Sequence, residues 1–392
     1  MTANFIFFII LHVFYGKEMD CIRMVDLKGQ HDRIRDEIDA AVLEVMASGS
    51  YIQGPAVEEF ELGLARYVGS RHVVSCASGT DALTAALMAA GITAGDEVIT
   101  TPFTFFATAG AVVRVGAKPV FVDICEDTFN INPNLIEEKI TRRTKAVIPV
   151  HLFGQCADME PILAIAARHN LVVIEDACQA LGAEYTFSDG TVRQAGTMGL
   201  LGCTSFFPTK NLGCCGDGGA VMTNDQNLAE KVRMICHHGS KEKYFHEMFG
   251  MNSRLDTVQA AVLNVKLKHF DEYISARRRA AGHYLNELAG CAGVQLPVLS
   301  EKSTQTFHQF TVKVEAGMRD SFRELLKRNG IPTTVYYPLP VHLQRCFSPE
   351  HGTGSFPCSE RVCREVVSLP MHTELDDPQL QYICQTIVSS QL

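Results

Sequence analysis

The sequence predicts an α/β protein whose largely parallel sheet is covered by helices on both faces and is followed by a smaller C-terminal α/β unit. Between residues 25 and 265, short apolar or β-branched runs alternate with segments of helical periodicity, as expected for repeated βαβ units. At 392 residues the chain is also long enough for two domains. We therefore predict an N-terminal extension or non-native start at 1–23, a large domain at 24–265 and a small domain at 266–392.

The elements follow in order along the chain. Apolar and β-branched runs predict strands of the large domain at 72–76, 97–100, 119–123, 146–150, 171–175 and 204–207. Apolar residues at three- and four-residue spacing predict its helices at 81–90, 132–139 and 159–169. The segment 256–287 predicts a long helix or a helix pair that leads to the small domain. There the patterns predict strands at 306–315 and 333–337, and helices at 318–328 and 377–388.

Composition and charge narrow the classes of function. The net charge is −9 and no extended basic run is present, so neither a nucleic-acid backbone nor a membrane is an expected partner. The 14 cysteines include no CxxC pair and no Cys/His cluster at zinc spacing, so we expect no metal. Several lie in apolar runs, such as Cys76, Cys178 and Cys203, and are predicted to be reduced thiols of a cytoplasmic protein. The apolar run at 4–14 leaves a short N-terminal anchor as the alternative.

The segment from Ser205 to Lys210 is an apolar run that ends in one lysine, and glycines follow it as far as Gly219. A lysine at a strand end, beside backbone that can approach a ligand closely, suits a nucleophile for an aldehyde cofactor. Desolvation would lower the pKa of this lysine and supply the neutral amine that a Schiff base requires. The alternative is an ordinary surface lysine before a glycine-rich turn.

A second strand end carries acidic and amide side chains. The apolar run at 171–174 leads into Glu175 and Asp176, and Gln179 follows. Ligands of open parallel sheets lie beyond the carboxyl ends of the strands, so Asp176 and Gln179 are expected at the site. Asp176 is placed to pair with a protonated pyridine nitrogen, and Gln179 to donate to the oxygen of the same ring. The alternative is that Asp176 caps the next helix.

Two further strand ends complete the predicted site. After the strand at 72–76, Gly79 and Thr80 begin a predicted helix whose free amides would bind a phosphate group. Ser205 is a further candidate donor to that phosphate. A plain Ser or Thr helix cap explains the same residues. Phe105 follows the strand at 97–100 and is a candidate to stack on a cofactor ring, with a core position as the alternative.

Together these segments resemble one family, the sugar aminotransferases named after DegT, DnrJ, EryC and StrS, over residues 25–388. The matching segments are Asp26-Leu27, Gly54-Pro55, Ser78 to Leu83, Glu175-Asp176-Ala177 with Gln179, Ser205 to Lys210, and Asn252 to Asp256. The resemblance implies the three-layer αβα fold type I of transferases that depend on pyridoxal 5′-phosphate (PLP). It also implies a mostly parallel central sheet, a PLP-binding large domain at 24–265 and a smaller C-terminal α/β domain.

The resemblance implies roles for single residues. Lys210 matches the lysine that forms a Schiff base with PLP and then moves protons during transamination. Asp176 matches the partner of the pyridine nitrogen, and Gln179 matches the contact of the ring oxygen. The residues that would bind the phosphate or stack on the ring are Gly79, Thr80, Ser205, Phe105 and, from the other subunit, Asn252. The implied assembly is a homodimer with shared active sites.

The implied reaction moves an amino group from glutamate to a nucleotide-linked keto-sugar, in amino-sugar or cell-surface polysaccharide biosynthesis. Residues 250–257 resemble members that act on UDP-linked 2-acetamido-3-keto-glucuronic acid, in which an arginine at the position of Arg254 meets the sugar carboxylate. Tyr336 and Tyr337 lie in a segment that resembles the family's substrate-facing motif, although those members have histidine at position 336.

Alternatives stay open at this point. Arg254 is expected to contact substrate, with an interface salt bridge as the other possibility. A dTDP-linked keto-deoxysugar is the alternative substrate. A non-catalytic regulator that keeps the fold and binds PLP is the alternative function, although the sequence contains no visible added DNA-binding segment.

Overall fold

The computed structural model describes residues 21–347 and 352–390. Of the predicted N-terminal extension, residues 1–20 lie outside this range, including the apolar run at 4–14. Ile22 is described; it is 6% exposed and packs in the C-terminal core. Among the described residues, no helix combines the length and the apolar character needed to cross a membrane.

The strands are, in chain order, β1 His72–Cys76, β2 Glu97–Thr100, β3 Lys118–Phe121, β4 Thr144–Val147, β5 Val172–Asp176, β6 Glu184–Thr186, β7 Val192–Gln194, β8 Leu201–Ser205, β9 Gly219–Thr223, β10 Ser240–Glu242, β11 Phe245–His246, β12 Val294–Gln295, β13 Phe310–Val314 and β14 Val366–Leu369. The α-helices are Leu27–Arg33, Arg35–Ser48, Pro55–Val68, Gly79–Ala89, Ala107–Arg114, Met159–His169, Gln226–Cys236, Thr257–Lys268, Phe270–Glu287, Arg319–Arg328, Pro357–Glu365 and Asp377–Val388.

The central sheet has the strand order β1-β9-β8-β5-β4-β2-β3. The four pairs that involve β2, β3, β4, β5 and β8 are parallel. By contrast, β9 is antiparallel to both of its neighbours. Because β9 runs back beside β8, the loop at 206–218 stays at the C-terminal end of β8. The prediction of a mostly parallel central sheet is confirmed.

Helices cover both faces of this sheet. Successive residues of a strand point to opposite faces, so Val173 and Ile174 of β5 enter different cores. Ile174 packs with helices Gly79–Ala89 and Gln226–Cys236. Val173 packs with helix Met159–His169 on the other face. The predicted three-layer αβα arrangement is therefore confirmed.

The C-terminal part has its own core around the antiparallel sheet β12-β13-β14. Helix Phe270–Glu287 connects this core to the large one. Phe270 and Ile274, near its start, pack beneath the central sheet, whereas Tyr284, near its end, packs in the C-terminal core. One helix thus contributes to both cores, because its apolar positions continue over its whole length.

Several predicted elements agree with the structure and others do not. β1, β2 and the helices Met159–His169 and Asp377–Val388 have the predicted bounds, and 256–287 forms the predicted pair of helices. The predicted strand at 204–207 is displaced, since β8 is Leu201–Ser205. Gly202 obscured this strand in the sequence. A Cβ there would lie 2.0 Å from the carbonyl oxygen of Gly196, so the strand requires glycine at this position.

Two predicted elements are wrong. The predicted helix at 132–139 is a pair of 3₁₀ turns, Pro133–Leu135 and Glu137–Lys139. The predicted strand at 333–337 makes only a single bridge, between Thr334 and Ser368. Prolines before and after this segment remove the amides that a longer ladder would use. In addition, the strands β6, β7, β9, β10, β11, β12 and β14 were not predicted, and the predicted strand at 306–315 is the shorter β13.

Candidate active site

Lys210 lies in the loop at 206–218, at the C-terminal end of β8. The amide of the first residue of this loop donates to the carbonyl oxygen of its last residue at 2.8 Å, which closes the loop. A Cβ at Gly213 would lie 2.4 Å from the carbonyl oxygen of Pro208, so only glycine permits this closure. The structure thus places Lys210 at a strand end, as the sequence predicts.

The amine of Lys210 has no ordinary salt-bridge partner. Among the described residues, none forms a hydrogen bond or a close ion pair with its ammonium group. Burial lowers the pKa of Lys210 below its usual value, and the nearby negative charge of Asp176 opposes this shift without cancelling it. Burial therefore shifts Lys210 toward the neutral amine, which is the nucleophilic form.

Asp176 is the last residue of β5 and is 6% exposed. Its Oδ2 atom accepts a hydrogen bond from the Thr108 hydroxyl at 2.8 Å, and its Oδ1 atom accepts one from the Cys178 amide at 3.2 Å. A carboxylate offers about four acceptor positions, so these two bonds leave room for a further donor. The alternative role as a helix cap does not hold, because Asp176 is followed by a turn rather than a helix.

Glu175 precedes Asp176 in β5 and points to the opposite face of the central sheet. Its hydrogen bonds hold the C-terminal end of β5 in place. Its carboxylate accepts three backbone amides from residues 196–199, at 2.8, 2.6 and 2.5 Å. His151 lies 2.8 Å away, and both side chains are fully buried. The Ala157 amide donates to His151 Nδ1 at 3.0 Å, so Nε2 carries the proton and donates to Glu175. Sequence reasoning gave Glu175 no role, although a carboxylate in an apolar strand requires such compensation.

The predicted phosphate site lies at the start of helix Gly79–Ala89. Ser78 is the N-cap, and its hydroxyl accepts the Asp81 amide at 3.1 Å. The predicted cap therefore exists, and it leaves the first amides, those of Gly79 and Thr80, without an intrahelical acceptor. With the positive end of the helix dipole, these groups form a site for an anion.

The sheet register brings Ser205 to this helix. Cys76 of β1 pairs with Gly219 of β9, and Gly219 pairs with Ser205 of β8. A Cβ at Gly79 would lie 2.7 Å from Cβ of Ser205. A Cβ at Gly219 would lie 2.4 Å from the carbonyl carbon of Ser78. Both glycines are thus required for the close approach that joins the hydroxyl of Ser205 to the helix amides.

Gln179 connects the site to the C-terminal part. Its Oε1 atom accepts the Phe153 amide at 2.8 Å, and its Nε2 atom donates to the Tyr337 hydroxyl at 2.9 Å. Burial raises the pKa of Tyr337, so the phenol stays protonated. The ring of Phe105 is 57% exposed and lies 6.3 Å from that of Tyr337. Gln179, Tyr337 and Phe105 are therefore brought together on one side of the site.

His308 is a neighbour of Lys210 that sequence reasoning missed. It lies just before β13, it is buried, and its Nδ1 atom has no hydrogen-bond partner among the described residues. Burial lowers the pKa of His308, and the positive charges of Lys210 and Arg277 lower it further. The imidazole is therefore neutral. His308 thus brings a residue of the C-terminal part within electrostatic range of the lysine.

The segment with Asn252 and Arg254 is held in place by the side chain of Ser253, which lies between them. The Ser253 hydroxyl between them donates to Asp81 Oδ2 at 2.9 Å and accepts the Ala77 amide at 3.1 Å. Asn252 itself is exposed, and its Oδ1 atom accepts a hydrogen bond from Arg254 at 2.6 Å. Among the described residues, no hydrogen bond or ion pair joins either side chain to Lys210 or Asp176. Tyr336 packs edge-on against Tyr337, with ring centroids 6.0 Å apart.

These residues fit a phosphorylated aldehyde with a pyridine ring. The amides of Gly79 and Thr80, joined to the Ser205 hydroxyl by two obligatory glycines, suit the phosphate. The free acceptor positions of Asp176 suit a ring N–H group, and the unpaired amine of Lys210 suits the aldehyde. This combination is typical of the PLP-dependent class of enzymes.

The chain belongs to the DegT/DnrJ/EryC1/StrS aminotransferase family, whose model matches residues 32–388. The resemblance seen in the sequence is thereby confirmed. Aminotransferases of this family depend on PLP, so the cofactor is PLP and the protein is a transaminase.

Individual relatives agree with this family. The chain is 49% identical to the pleiotropic regulatory protein of Geobacillus stearothermophilus, over 93% of this chain and 97% of that protein. It is 44% identical to the UDP-2-acetamido-2-deoxy-3-oxo-D-glucuronate aminotransferase of Pseudomonas aeruginosa, over 94% and 100% of the two chains. The crystal structure of S. venezuelae DesV in complex with a ketimine intermediate superposes with a TM-score of 0.91 at 43% identity, covering 95% of this chain and 98% of that one. The fold type I prediction is therefore confirmed.

Proposed function

We propose that this protein transfers the amino group of glutamate to UDP-linked 2-acetamido-3-keto-glucuronic acid, with Lys210 as the residue that holds PLP. The observation that carries the proposal is the unpaired amine of Lys210, whose pKa burial lowers, beside the carboxylate of Asp176 and the anion site at Gly79. The 44% identity with an enzyme named for that uronate supports the choice of sugar.

The geometry supports the proposed cofactor-binding roles. Gly79, Thr80 and Ser205 would bind the phosphate, and Asp176 would accept a hydrogen bond from the pyridine nitrogen. Gln179 would donate a hydrogen bond to the ring oxygen, and Phe105 would stack on the ring. PLP supplies an electron-accepting ring that stabilises negative charge at the α-carbon of the amino acid.

Lys210 does the acid–base work. Lys210 would hold PLP, and once glutamate has taken its place the released amine would act as the base that moves the proton of the α-carbon of glutamate. In the second half of the cycle the same amine returns a proton to the carbon of the sugar that becomes aminated. Burial lowers the pKa of Lys210 and so shifts it toward the neutral form that this role requires.

The substrate side of the site is proposed to be completed by a second copy of the chain. Asn252 and Arg254 are bonded to each other rather than to the residues around Lys210. In a homodimer with shared sites, Asn252 would bind the phosphate of the partner's cofactor. Arg254 would bind the sugar carboxylate through a bidentate pair of hydrogen bonds. Tyr336 and Tyr337 line the same substrate region.

Two alternatives have specific support. A regulator that only binds PLP is suggested by the name of the 49% identical relative, and a dTDP-linked keto-deoxysugar by the tyrosine at position 336.

We also propose a large PLP-binding domain at 24–265 and a small domain at 266–392, supported by the two separate cores. A cytoplasmic location is supported by the cysteines, all of which are free thiols.

The first test is the visible spectrum of the purified protein with PLP, before and after excess glutamate. We expect a band for lysine-bound cofactor that disappears as the amino form of the cofactor accumulates. Lys210→Ala should lack the first band, whereas Lys268→Ala, which removes an exposed lysine, should retain it. Uronate and deoxysugar substrates are then compared by kcat/KM. A band without any response to glutamate would favour the regulator.

A further inference from the structure

A buried pair of threonine hydroxyls leads to the carboxylate of Asp176. The Thr108 hydroxyl, on helix Ala107–Arg114, donates to Asp176 Oδ2 at 2.8 Å. The hydroxyl of Thr104 lies 2.9 Å from that of Thr108. Both threonines are buried, and Thr108 is completely enclosed. Neither is used by the mechanism described above.

The direction of these bonds follows from the acceptors available. Thr108 has one hydroxyl proton and three oxygen atoms within reach: Asp176 Oδ2, the Thr104 hydroxyl, and the Phe105 carbonyl at 3.2 Å. A charged acceptor forms the strongest bond, so the proton goes to the carboxylate. The Thr104 hydroxyl then donates to Thr108, and each bond polarises the other. The result is a directed chain that ends on Asp176.

We propose that Thr108, supported by Thr104, is a positioning residue that orients the carboxylate of Asp176 toward the pyridine nitrogen of PLP; this rests on the proposed role of Asp176. The carboxylate is held at both oxygens, by Thr108 at Oδ2 and by the Cys178 amide at Oδ1. Any rotation of the carboxylate breaks one of these bonds. The acceptor positions that remain are therefore fixed in direction.

The bond from Thr108 also directs the acceptor that a ring nitrogen would use. An Asp176 carboxylate held in this direction would pair with a protonated ring nitrogen, and positive charge there would make the ring a better electron acceptor. Without the hydroxyl, the carboxylate would be free to turn and this pairing would weaken.

The same segment carries the aromatic ring proposed to stack on the cofactor. Phe105 lies between Thr104 and Thr108, one turn before the buried hydroxyl. The bond from Thr108 to Asp176 therefore ties the segment that presents the Phe105 ring to the strand end that contacts the nitrogen. One short segment aligns two different contacts to the same ring.

The test compares Thr108→Val, which keeps the shape and removes the hydroxyl, with Thr108→Ser, which keeps the hydroxyl. We expect Thr108→Val to weaken PLP binding and to slow the glutamate-driven spectral change, each by about 10- to 100-fold, the usual effect of a hydrogen bond to a charged group. The KM for glutamate should stay unchanged. Thr108→Ser should remain within about threefold of the parent protein in both measurements. Thr104→Val should act in the same direction with a smaller effect.

A double-mutant cycle with Asp176→Asn separates positioning from packing. If Thr108 acts through the carboxylate, Thr108→Val should add less than about twofold in the Asp176→Asn background, because the two changes then share one interaction. The proposal is overturned if Thr108→Val is silent, or if its effect is the same in both backgrounds. Failure of the proposed function would look different, since the parent protein itself would then show no lysine-bound PLP band.

Discussion

The cofactor side and the substrate side of the candidate site are built in different ways. Lys210, Asp176 and Ser205 lie at the ends of buried strands, and hydrogen bonds within one chain hold them or their loops in place. Asn252 and Arg254 lie on a more exposed segment and bond mainly to each other. The difference is consistent with our proposal that the core holds the residues of the cofactor side, whereas a second subunit completes the substrate side.

The largest expected effect comes from the centre of the cofactor side. Lys210→Ala should reduce turnover by about 1000-fold or more, since it removes both the anchor and the acid–base group. Steady-state transamination with glutamate measures this loss. Lys210→Arg keeps the charge but not the nucleophile and should be equally inactive. Substantial turnover by either variant would show that another group transfers the proton.

The second effect is a loss of stability, and it tests how Glu175 holds the buried end of β5. Glu175→Gln should lower the free energy of unfolding by about 3 kcal/mol, because the new amide group faces backbone N–H donors in a buried site. Urea unfolding followed by circular dichroism measures this change. Glu137→Gln is a suitable control, since the Glu137 carboxylate is 49% exposed, and it should cost much less stability than Glu175→Gln because surface ion pairs contribute little. Equal losses in the two variants would contradict the role of Glu175.

The third effect concerns the substrate side. Arg254→Gln should raise KM for the uronate substrate by about 10- to 100-fold, because a charged hydrogen bond to its carboxylate is lost. The KM for glutamate should not change. An analogue with a hydroxymethyl group in place of the carboxylate is the control and should be affected less. If both sugars lose the same factor, Arg254 does not recognise the carboxylate.

The smallest effects come from two glycines. Gly79→Ala places a Cβ 2.7 Å from Ser205, and it should weaken PLP binding by about tenfold, a typical cost of overpacking. Titration with PLP measures this loss, and a Gly79→Ala variant with normal PLP affinity would show that the phosphate site is looser than its geometry indicates.

Gly282→Ala places a Cβ in open space within helix Phe270–Glu287, and it should stabilise the apoprotein by about 0.5–1 kcal/mol. Thermal melts measure this gain.

Helices and strands with strong periodic patterns were predicted well, whereas those with short or interrupted patterns were not. β1, β2 and helix Met159–His169 carry uninterrupted apolar patterns, and their bounds are correct. β8 was displaced and β9 was missed, because glycines at 202 and 219 interrupt the pattern where another segment approaches closely. Such glycines are explained only by the neighbouring segment, which the local sequence does not contain.

The sequence by itself determined the fold class, the family and the strand-end candidates Lys210, Asp176 and Ser205, because strand ends, helix starts and glycines carry local signals. Only the tertiary structure decided how these residues meet. The register Cys76–Gly219–Ser205 joins the phosphate residues, and the bonds of Thr108 to Asp176 and of His151 to Glu175 link residues that are far apart in the chain. Threonine, histidine and glutamate in buried positions acquire their roles from the partners that folding brings to them.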